Sequence, residues 1–192
     1  MELYLLPLLA YITGSISTAI LLAKALGLQD PREVGSGNPG ATNILRYGGK
    51  GVAVATLLGD MLKGLVPVLI ARVFTNDPMM LALVMLAAFL GHLYPLFFGF
   101  RGGKGVATAL GVLLGINPWV GLCVLGSWLL TFMISRISSL SGLVASALAP
   151  VFVWYFTREP WLIGVTVVIS AWLFWRHRSN IRKLVAGEEA KS

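Results

Sequence analysis

The sequence predicts an all-α integral membrane protein with seven transmembrane helices, several of them short. Three observations support this fold class. Of the 192 residues, 57% are hydrophobic and only 12% are charged, whereas a soluble domain carries about 25% charged residues. The mean hydropathy is +0.82. Apolar runs long enough to cross a bilayer core of about 30 Å recur along the whole chain.

The apolar runs define the expected spans. They cover roughly residues 3–27, 51–74, 79–99, 105–135, 142–157 and 160–176. The first run is too long for a signal peptide and has no small-residue cleavage site after it, so we expect it to be retained. The fourth run contains Asn117 followed by Pro118 near its middle. Because proline disfavours helix at the preceding residue, this run forms either one kinked helix or two short ones.

The distribution of basic residues favours two short helices and hence seven spans. With seven spans, twelve lysines and arginines lie on one side of the membrane and only Arg72 and Arg158 on the other. Six spans would place Arg136 and the basic C-terminal tail on the opposite side from Lys104. Cytoplasmic loops are enriched in lysine and arginine. We therefore expect the N-terminus outside and the C-terminus in the cytoplasm.

The unusual polar residues are expected on the cytoplasmic face of a single domain that comprises residues 1–192. Four segments meet on that face: 28–50, 91–108, 135–142 and 176–191. The net charge of +7 follows from the cytoplasmic excess of basic residues, so nucleic acid is not an expected partner. The single cysteine excludes a disulfide framework.

The segment GSGNPGATNILRYGG (35–49) predicts an anion-binding loop before a short helix. Asn38 and Pro39 are expected to be the N-cap and first turn of a helix over about 39–47, which Gly48 and Gly49 end. Free backbone N–H groups at such a helix start suit phosphate or carboxylate; the alternative is a tight re-entry turn. The candidate binding residues are Gly35, Ser36, Gly37, Asn38, Gly40, Thr42, Asn43 and Arg46.

The segment GHLYPLFFGFRGGKGVAT (91–108) predicts a second cationic glycine loop. Gly102, Gly103 and Lys104 stand just before the start of the fourth apolar run. The loop is not a Walker A motif, because Gly105 replaces the hydroxyl residue that would bind magnesium. An anion site without nucleotide is therefore expected. His92 precedes the loop, and a lone histidine in an apolar run is more often a packed residue than a catalyst.

The last two segments add hydroxyl groups and a histidine. In SRISSLSG (135–142) we take Ser141 as a binding residue, although serines at helix ends are also common caps. In RHRSNIRKLVAGEEAKS (176–192), His177 and Asn180 share one helix face, although this tail could equally be a basic anchor on anionic lipid.

Acidic residues form no metal site in these segments. We expect no metal ion and no cofactor, because hard cations need clustered carboxylates. Asp60 and Lys63 lie three residues apart in the second run. We interpret them as an internal ion pair rather than as functional groups.

In order and spacing, these four segments resemble the bacterial acyl-phosphate:glycerol-3-phosphate acyltransferases (PlsY type), over nearly the whole chain. The resemblance implies transfer of an acyl group from acyl phosphate to the 1-hydroxyl of sn-glycerol 3-phosphate. The products are lysophosphatidic acid and inorganic phosphate, in phospholipid synthesis. It also implies the bacterial cytoplasmic (inner) membrane, an active site on the cytoplasmic side and membrane lipid as surroundings. The soluble enzyme that produces acyl phosphate is a candidate docking partner.

On this resemblance, the phosphate groups have expected partners. The loop 35–43 holds the phosphate of the acyl donor, and Lys104 and Arg46 neutralise phosphate charge during transfer. Because acyl phosphate carries a good leaving group, orientation and charge stabilisation can supply most of the rate.

The acceptor is expected to be positioned by Ser141, His177 and Asn180. The His-x4-Asp pair of other glycerolipid acyltransferases is absent, so either His177 or the leaving phosphate accepts the hydroxyl proton. The rival class is a transporter or channel for an organic phosphate. It is disfavoured because the sequence shows no paired, inverted repeats.

Overall fold

The computed structural model describes residues 3–191, which contain ten α-helices and no β-strand. The helices are α1 (Leu5–Gly14), α2 (Thr18–Ala25), α3 (Ala41–Tyr47), α4 (Gly49–Phe74), α5 (Pro78–Leu93), α6 (Val106–Ile116), α7 (Pro118–Ser135), α8 (Ser138–Thr157), α9 (Pro160–Arg176) and α10 (Arg178–Val185). A 3-10 turn over Leu96–Phe98 follows α5.

The helices confirm the predicted class of an all-α integral membrane protein. Four are long and apolar enough to cross a membrane: α4, α7, α8, and α5 together with its 3-10 extension. The pair α1 and α2 would make a fifth span, bent by 42°. The apolar helices α6 and α9 are shorter, with 11 and 17 residues. The total of seven spans and the orientation of the termini remain predictions.

The first apolar run is broken, which the sequence did not indicate. A single span over 3–27 was expected, but α1 ends at Gly14 and α2 begins at Thr18. The carbonyl oxygen of Ile16, between them, accepts a hydrogen bond from Lys63 Nζ at 2.7 Å. Inside a membrane, a broken helix persists only when its freed backbone groups find such partners. The side chain of Lys63 therefore stabilises the break.

The break in the fourth run is confirmed at Asn117. This residue has an extended backbone (φ −156°), and its Oδ1 accepts from the N–H of Trp119 at 2.9 Å. Asn117 thus ends α6 and caps α7, with Pro118 as the first residue of α7.

The short helix after the first glycine loop starts later than predicted. It begins at Ala41 rather than at residue 39, and Gly40 instead of Asn38 is the N-cap. The reason is a turn before the helix, in which the Gly40 N–H donates to the Asn38 carbonyl at 2.9 Å. The predicted end is confirmed, because α3 ends at Tyr47 and Gly48 follows.

Two glycines set the spacing between α4 and α6. A Cβ at Gly111 would collide with the Met61 carbonyl oxygen, and one at Gly64 with the Thr108 carbonyl oxygen. The backbones of the two helices therefore approach closely, which only residues without side chains allow. This packing fixes α6 relative to α4, and with α6 the loop just before it that carries Lys104. Beside this pair, α5 forms the centre of the bundle, with Met85 and Phe89 fully buried.

Candidate active site

A cavity of about 520 Å³ opens where α3, the loop before α6, the start of α8 and the C-terminal tail come together. Its polar lining comprises Ser36, Asn38, Thr42, Asn43, Arg46, Asp60, His92, Lys104, Ser138, Ser139, His177, Asn180 and Glu189. Its apolar wall comprises Leu57, Leu58, Met61, Val106, Ala107, Leu110, Val124, Leu125, Trp128, Leu129 and Ala145. One cavity thus joins polar groups from five chain segments to an apolar surface between α4, α6 and α7.

The structure brings most of the predicted site residues to this cavity. Lining it are Ser36, Asn38, Gly40, Thr42, Asn43, Arg46, Lys104, His177 and Asn180. Those that do not line it are Gly35, Gly37, Gly102, Gly103 and Ser141. Ser141 is fully buried, and its hydroxyl donates to the Ile137 carbonyl at 2.9 Å. The neighbouring Ser138 and Ser139 line the cavity instead.

Asn43 organises the first glycine loop. It is only 2% exposed, and its Nδ2 donates to the carbonyls of Pro31 (2.9 Å) and Val34 (3.0 Å). Its Oδ1 accepts from the Ser36 N–H at 2.9 Å. Gly35 has φ +60°, and a Cβ there would collide with Asn43 Oδ1. These bonds show that Asn43 holds the loop in shape.

The backbone of this loop is less free than the sequence suggested. The N–H groups of Ser36, Gly37 and Gly40 donate to Asn43, Val34 and Asn38 respectively. The expectation that the loop offers a full set of free N–H groups is therefore corrected. What the loop presents to the cavity includes the side chains of Ser36, Asn38 and Thr42.

A hydrogen bond from Arg32 joins the segment of the first glycine loop to that of the second. The Arg32 guanidinium contacts the Asp30 carboxylate at 2.6 Å and donates to the Phe98 carbonyl at 3.0 Å. The hydrogen bond from Arg32 lowers the pKa of Asp30, so this carboxylate is charged at neutral pH. The two loops are thus held side by side.

The glycines of the second loop are structural. The Gly102 N–H donates to the Leu93 carbonyl and the Gly103 N–H to the His92 carbonyl, both at 3.2 Å. Their own carbonyls accept from Arg176 Nη2 at 2.9 and 3.0 Å. Their backbone groups therefore hold the loop against α5 and α9 instead of facing an anion. The loop positions Lys104.

Lys104 is the cation at the centre of the polar end of the cavity, which is the part lined by the polar side chains. Its Nζ donates to Asn180 Oδ1 at 2.5 Å. Burial lowers the pKa of Lys104 to about 8, and the nearby charges of Arg176 and Arg46 act in the same direction, while Glu189 opposes them. The ammonium is therefore mostly protonated at neutral pH, yet it is easier to deprotonate than an exposed lysine.

Glu189 is a cavity residue that sequence reasoning missed. Its Oε1 accepts from the Ser139 hydroxyl and from Asn180 Nδ2, each at 2.6 Å. The carboxylate thereby holds the C-terminal tail against α8 and orients the Asn180 amide toward Lys104. No sequence signal could have found it, because a glutamate in a charged tail reads as solvent-exposed.

His177 lies at the junction of α9 and α10 and is 3% exposed. Its Nδ1 is 2.8 Å from the Leu173 carbonyl oxygen. A carbonyl only accepts, so Nδ1 carries the hydrogen and Nε2 keeps a free lone pair. Burial, followed by the charge of Lys104, lowers the pKa of His177 to about 4. The ring is therefore a neutral hydrogen-bond acceptor at pH 7.

The predicted internal ion pair is confirmed. Lys63 Nζ lies 2.8 Å from Asp60 Oδ1, and both side chains are buried. His92 is buried as well, with Nδ1 at 3.7 Å from the same carboxylate oxygen.

A helical membrane bundle with a cationic, hydroxyl-lined cavity that continues into an apolar wall defines a class of protein. It is an integral membrane protein whose site suits molecules with both a phosphate group and an apolar chain. Comparison with known proteins narrows this class. The family described as glycerol-3-phosphate acyltransferase matches residues 4–187.

Individual relatives agree along nearly the whole chain. A glycerol-3-phosphate acyltransferase of Thioalkalivibrio sulfidiphilus is 60% identical over 182 residues, covering 95% of this chain and 90% of that protein. One from Pseudomonas aeruginosa is 53% identical over 187 residues, covering 97% of each. The chain belongs to the glycerol-3-phosphate acyltransferase family.

Two solved structures share the fold. Both are crystal structures of PlsY, an integral membrane glycerol 3-phosphate acyltransferase. Its glycerol 3-phosphate form has a TM-score of 0.95 at 41% identity, covering 100% of this chain and 96% of that one. Its lysophosphatidic acid form has a TM-score of 0.93 at 40% identity, covering 100% and 95%.

Proposed function

We propose that this protein transfers a fatty acyl group from acyl phosphate to the 1-hydroxyl of sn-glycerol 3-phosphate. The hydroxyl oxygen attacks the acyl carbonyl carbon, and the bond from that carbon to the phosphate oxygen breaks. The products are lysophosphatidic acid and inorganic phosphate. The family membership and the relatives' names support the acceptor, and the shape of the cavity supports the donor.

The observation that carries the proposal is the continuity of the cavity. Its polar end collects Lys104 and Arg46, while its apolar wall runs between α4 and α7. Leu57, Leu58 and Leu129 on this wall are 46%, 47% and 46% exposed, so the wall reaches the lipid-facing surface. An acyl chain can therefore lie along the wall and extend into the bilayer while its phosphate reaches the cations.

The two cations are proposed to bind phosphate from different sides. Lys104 is half-buried and fixed by Asn180, whereas Arg46 is exposed at the end of α3. Preorganised cations in a partly desolvated site stabilise charge that develops during transfer. Hydroxyl donors around them come from Ser36 and from one member of the Thr42–Ser138 pair, whose oxygens lie 3.1 Å apart.

The leaving phosphate is proposed to take the proton from the attacking hydroxyl. His177 has a pKa of about 4, which makes it a weak proton acceptor at neutral pH, whereas the phosphate oxygen becomes a strong proton acceptor as its bond to the acyl carbon breaks. His177 instead accepts a hydrogen bond through Nε2 and, with Asn180, orients the acceptor. No protein base is needed for the atoms and charges to balance.

The location of the reaction is part of the proposal. The excess of basic residues at the cavity end supports a cytoplasmic site in the bacterial inner membrane. A cytoplasmic opening would admit water-soluble glycerol 3-phosphate directly, and it would allow docking of the soluble enzyme that makes acyl phosphate.

The test is an assay with purified protein in detergent micelles. Glycerol 3-phosphate and palmitoyl phosphate are supplied, and inorganic phosphate and lysophosphatidic acid are measured over time. Parallel assays replace the donor with palmitoyl-CoA, or the protein with Lys104→Ala. Lys50→Ala is the matched control, since Lys50 is an exposed lysine of α4 that does not line the cavity.

We expect product only with both substrates, no product from the thioester, and loss of at least about a hundredfold in rate for Lys104→Ala but not for Lys50→Ala. Equal rates with palmitoyl-CoA would refute the acyl-phosphate donor. Binding of glycerol 3-phosphate without any transfer would favour a carrier for organic phosphate instead.

A further inference from the structure

A polar cluster beside the cavity has no role in the proposed chemistry so far. It consists of Asp60, Lys63 and His92, which are 3%, 6% and 6% exposed. Asp60 and His92 also line the cavity. The three residues come from α4 and from the end of α5, which packs under the second glycine loop. Buried ionisable groups in a membrane protein are costly and call for a specific function.

The geometry orients the His92 ring. Its Nδ1 faces Asp60 Oδ1 at 3.7 Å, and Nδ1 itself has no hydrogen-bond partner within residues 3–191. Nε2, on the other edge of the ring, lies beside Gly103, where a Cβ would collide with it. A carboxylate facing Nδ1 favours the tautomer with the hydrogen on Nδ1. Nε2 then keeps its lone pair for another partner.

The charges around His92 keep the ring neutral. The Asp60 carboxylate is already balanced by Lys63 at 2.8 Å. Arg176 adds a second positive charge on the loop that covers the ring, through its bonds to the Gly102 and Gly103 carbonyls. A protonated His92 would leave a net positive charge buried without compensation, which is expensive. His92 therefore suits a hydrogen-bond acceptor better than a general base.

Glycerol 3-phosphate offers two hydroxyl donors, only one of which reacts. The C1 hydroxyl becomes the ester oxygen, while the C2 hydroxyl stays intact and must be desolvated when the substrate enters the cavity. A desolvated hydroxyl without a partner weakens binding. A neutral acceptor on the cavity wall provides that partner.

We propose that His92 Nε2 accepts a hydrogen bond from the C2 hydroxyl of glycerol 3-phosphate, and that Asp60 is the positioning residue that fixes its tautomer. Lys63 holds Asp60 in place through their ion pair and through its own bond to Ile16. His92 thereby makes the enzyme selective for an acceptor with a second hydroxyl. This inference rests on the proposed function.

The test compares two acceptors in the acyl-transfer assay. Glycerol 3-phosphate is set against 1,3-propanediol monophosphate, which has the same reacting primary hydroxyl and lacks only the C2 hydroxyl. We expect the wild-type protein to prefer glycerol 3-phosphate by at least about tenfold in kcat/KM. In His92→Leu the ratio should fall to about one, and in His92→Gln, which retains an acceptor, part of the preference should remain.

Two further variants separate selectivity from simple support of the loop. Thr166→Val removes a buried hydroxyl that bonds only the Leu162 carbonyl, far from this cluster in sequence, and should leave the ratio unchanged. The double variant Asp60→Leu, Lys63→Met keeps the cluster neutral while removing the group that fixes the tautomer. This double variant should lower the kcat/KM preference for glycerol 3-phosphate, although His92 is still present.

The outcomes are distinct. An unchanged ratio in both His92→Leu and the double variant overturns the inference, as does an equal loss of rate for both acceptors. If His92→Leu fails to accumulate as folded protein, the inference is tested instead by the double variant and His92→Gln. The quantity compared is again the ratio of kcat/KM for the two acceptors. A wild-type protein that acylates both acceptors equally overturns the inference while the proposed function stands. A wild-type protein that acylates neither refutes the proposed function itself.

Discussion

Lys104 and His177 face the same cavity yet carry different charges at neutral pH. Burial lowers both pKa values, from 10.5 to about 8 for the lysine and from 6.5 to about 4 for the histidine. Because the starting values differ, Lys104 stays mainly protonated and His177 is neutral. The cavity therefore combines a protonated lysine with an uncharged hydrogen-bond acceptor.

The lowered pKa of Lys104 predicts an alkaline limit to activity. As the pH rises through about 8, the ammonium loses its proton and its attraction for phosphate. We expect kcat/KM for glycerol 3-phosphate to fall up to about tenfold per pH unit above that point. Lys104→Arg should have a lower rate but no such fall below pH 10, since a guanidinium remains protonated. A wild-type profile that is flat to pH 10 would contradict this assignment.

The lowered pKa of His177 predicts a dependence of stability on pH. The folded state holds this proton less tightly than the unfolded state, with a pKa of about 4 against 6.5. The contribution of His177 to stability is therefore full above pH 6.5 and is lost as the pH drops toward 4, by about 3 kcal/mol. Thermal unfolding in detergent should show that loss in the wild-type protein and a smaller one in His177→Gln. Identical pH dependence in both proteins would exclude His177 as its source.

Residues with distinctive chemistry could be identified from the sequence, but the role of each one in the folded protein could not. Lys104, Arg46 and Asn180 stand out as polar groups next to apolar runs, and they do line the cavity. The role of Asn43 depends on three backbone partners that only the folded loop supplies. The sequence does not distinguish Ser141 from Ser138 and Ser139, because nothing in it shows which face of a helix start meets a cavity.

At the scale of elements, local signals predicted some helix breaks and missed others. Asn117 with Pro118, and Gly48, end helices through their own backbone preferences, so they can be recognised without knowing the fold. The break at Ile16 depends on a hydrogen bond from Lys63, which is 47 residues away. The residues around Ile16 therefore contain no local signal that predicts this break.

The close packing of α4 and α6 leads to an element-scale prediction. Gly111→Ala would push α6 away from the Met61 carbonyl and displace Lys104 at the start of the helix. We expect a loss of at least about tenfold in kcat together with lower thermal stability, because a displacement of about 1 Å costs heavily in catalysis. The matched control is Gly126→Ala in α7, where an added Cβ meets nothing within 4 Å. Equal activity of the two variants would show that this contact does not set the site geometry.

At the scale of the whole molecule, one cavity combines a polar end with an apolar wall, and this leads to a prediction about the length of the acyl chain. Ala107 lies on the wall, so Ala107→Phe should narrow it. We expect the rate with palmitoyl phosphate to fall about tenfold or more, and the rate with a short-chain acyl phosphate to fall much less. Ala147→Phe, at an exposed position of α8, should leave both rates near wild type. An equal effect on long and short donors would argue against an acyl chain on this wall.

Orientation of the whole molecule can be tested with single cysteines. In a Cys123→Ser background, Glu159→Cys is placed before α9 and Lys50→Cys at the start of α4, both at exposed positions. A membrane-impermeant maleimide should label residue 159 in intact cells, and residue 50 only after the membrane is opened. The reverse labelling would place the cavity outside and exclude a cytoplasmic site.

On the proposed function, the exposed leucines along the apolar wall also determine which concentration of the acyl donor sets the rate. A donor that enters sideways from the bilayer is sampled by its mole fraction among the surrounding amphiphiles, not by its amount per litre. At a fixed quantity of acyl phosphate, added inert detergent should therefore slow the reaction by surface dilution. The water-soluble acceptor should show ordinary saturation in bulk molarity throughout. On the proposed function, the rate thus depends on a two-dimensional concentration of the donor and on a three-dimensional concentration of the acceptor.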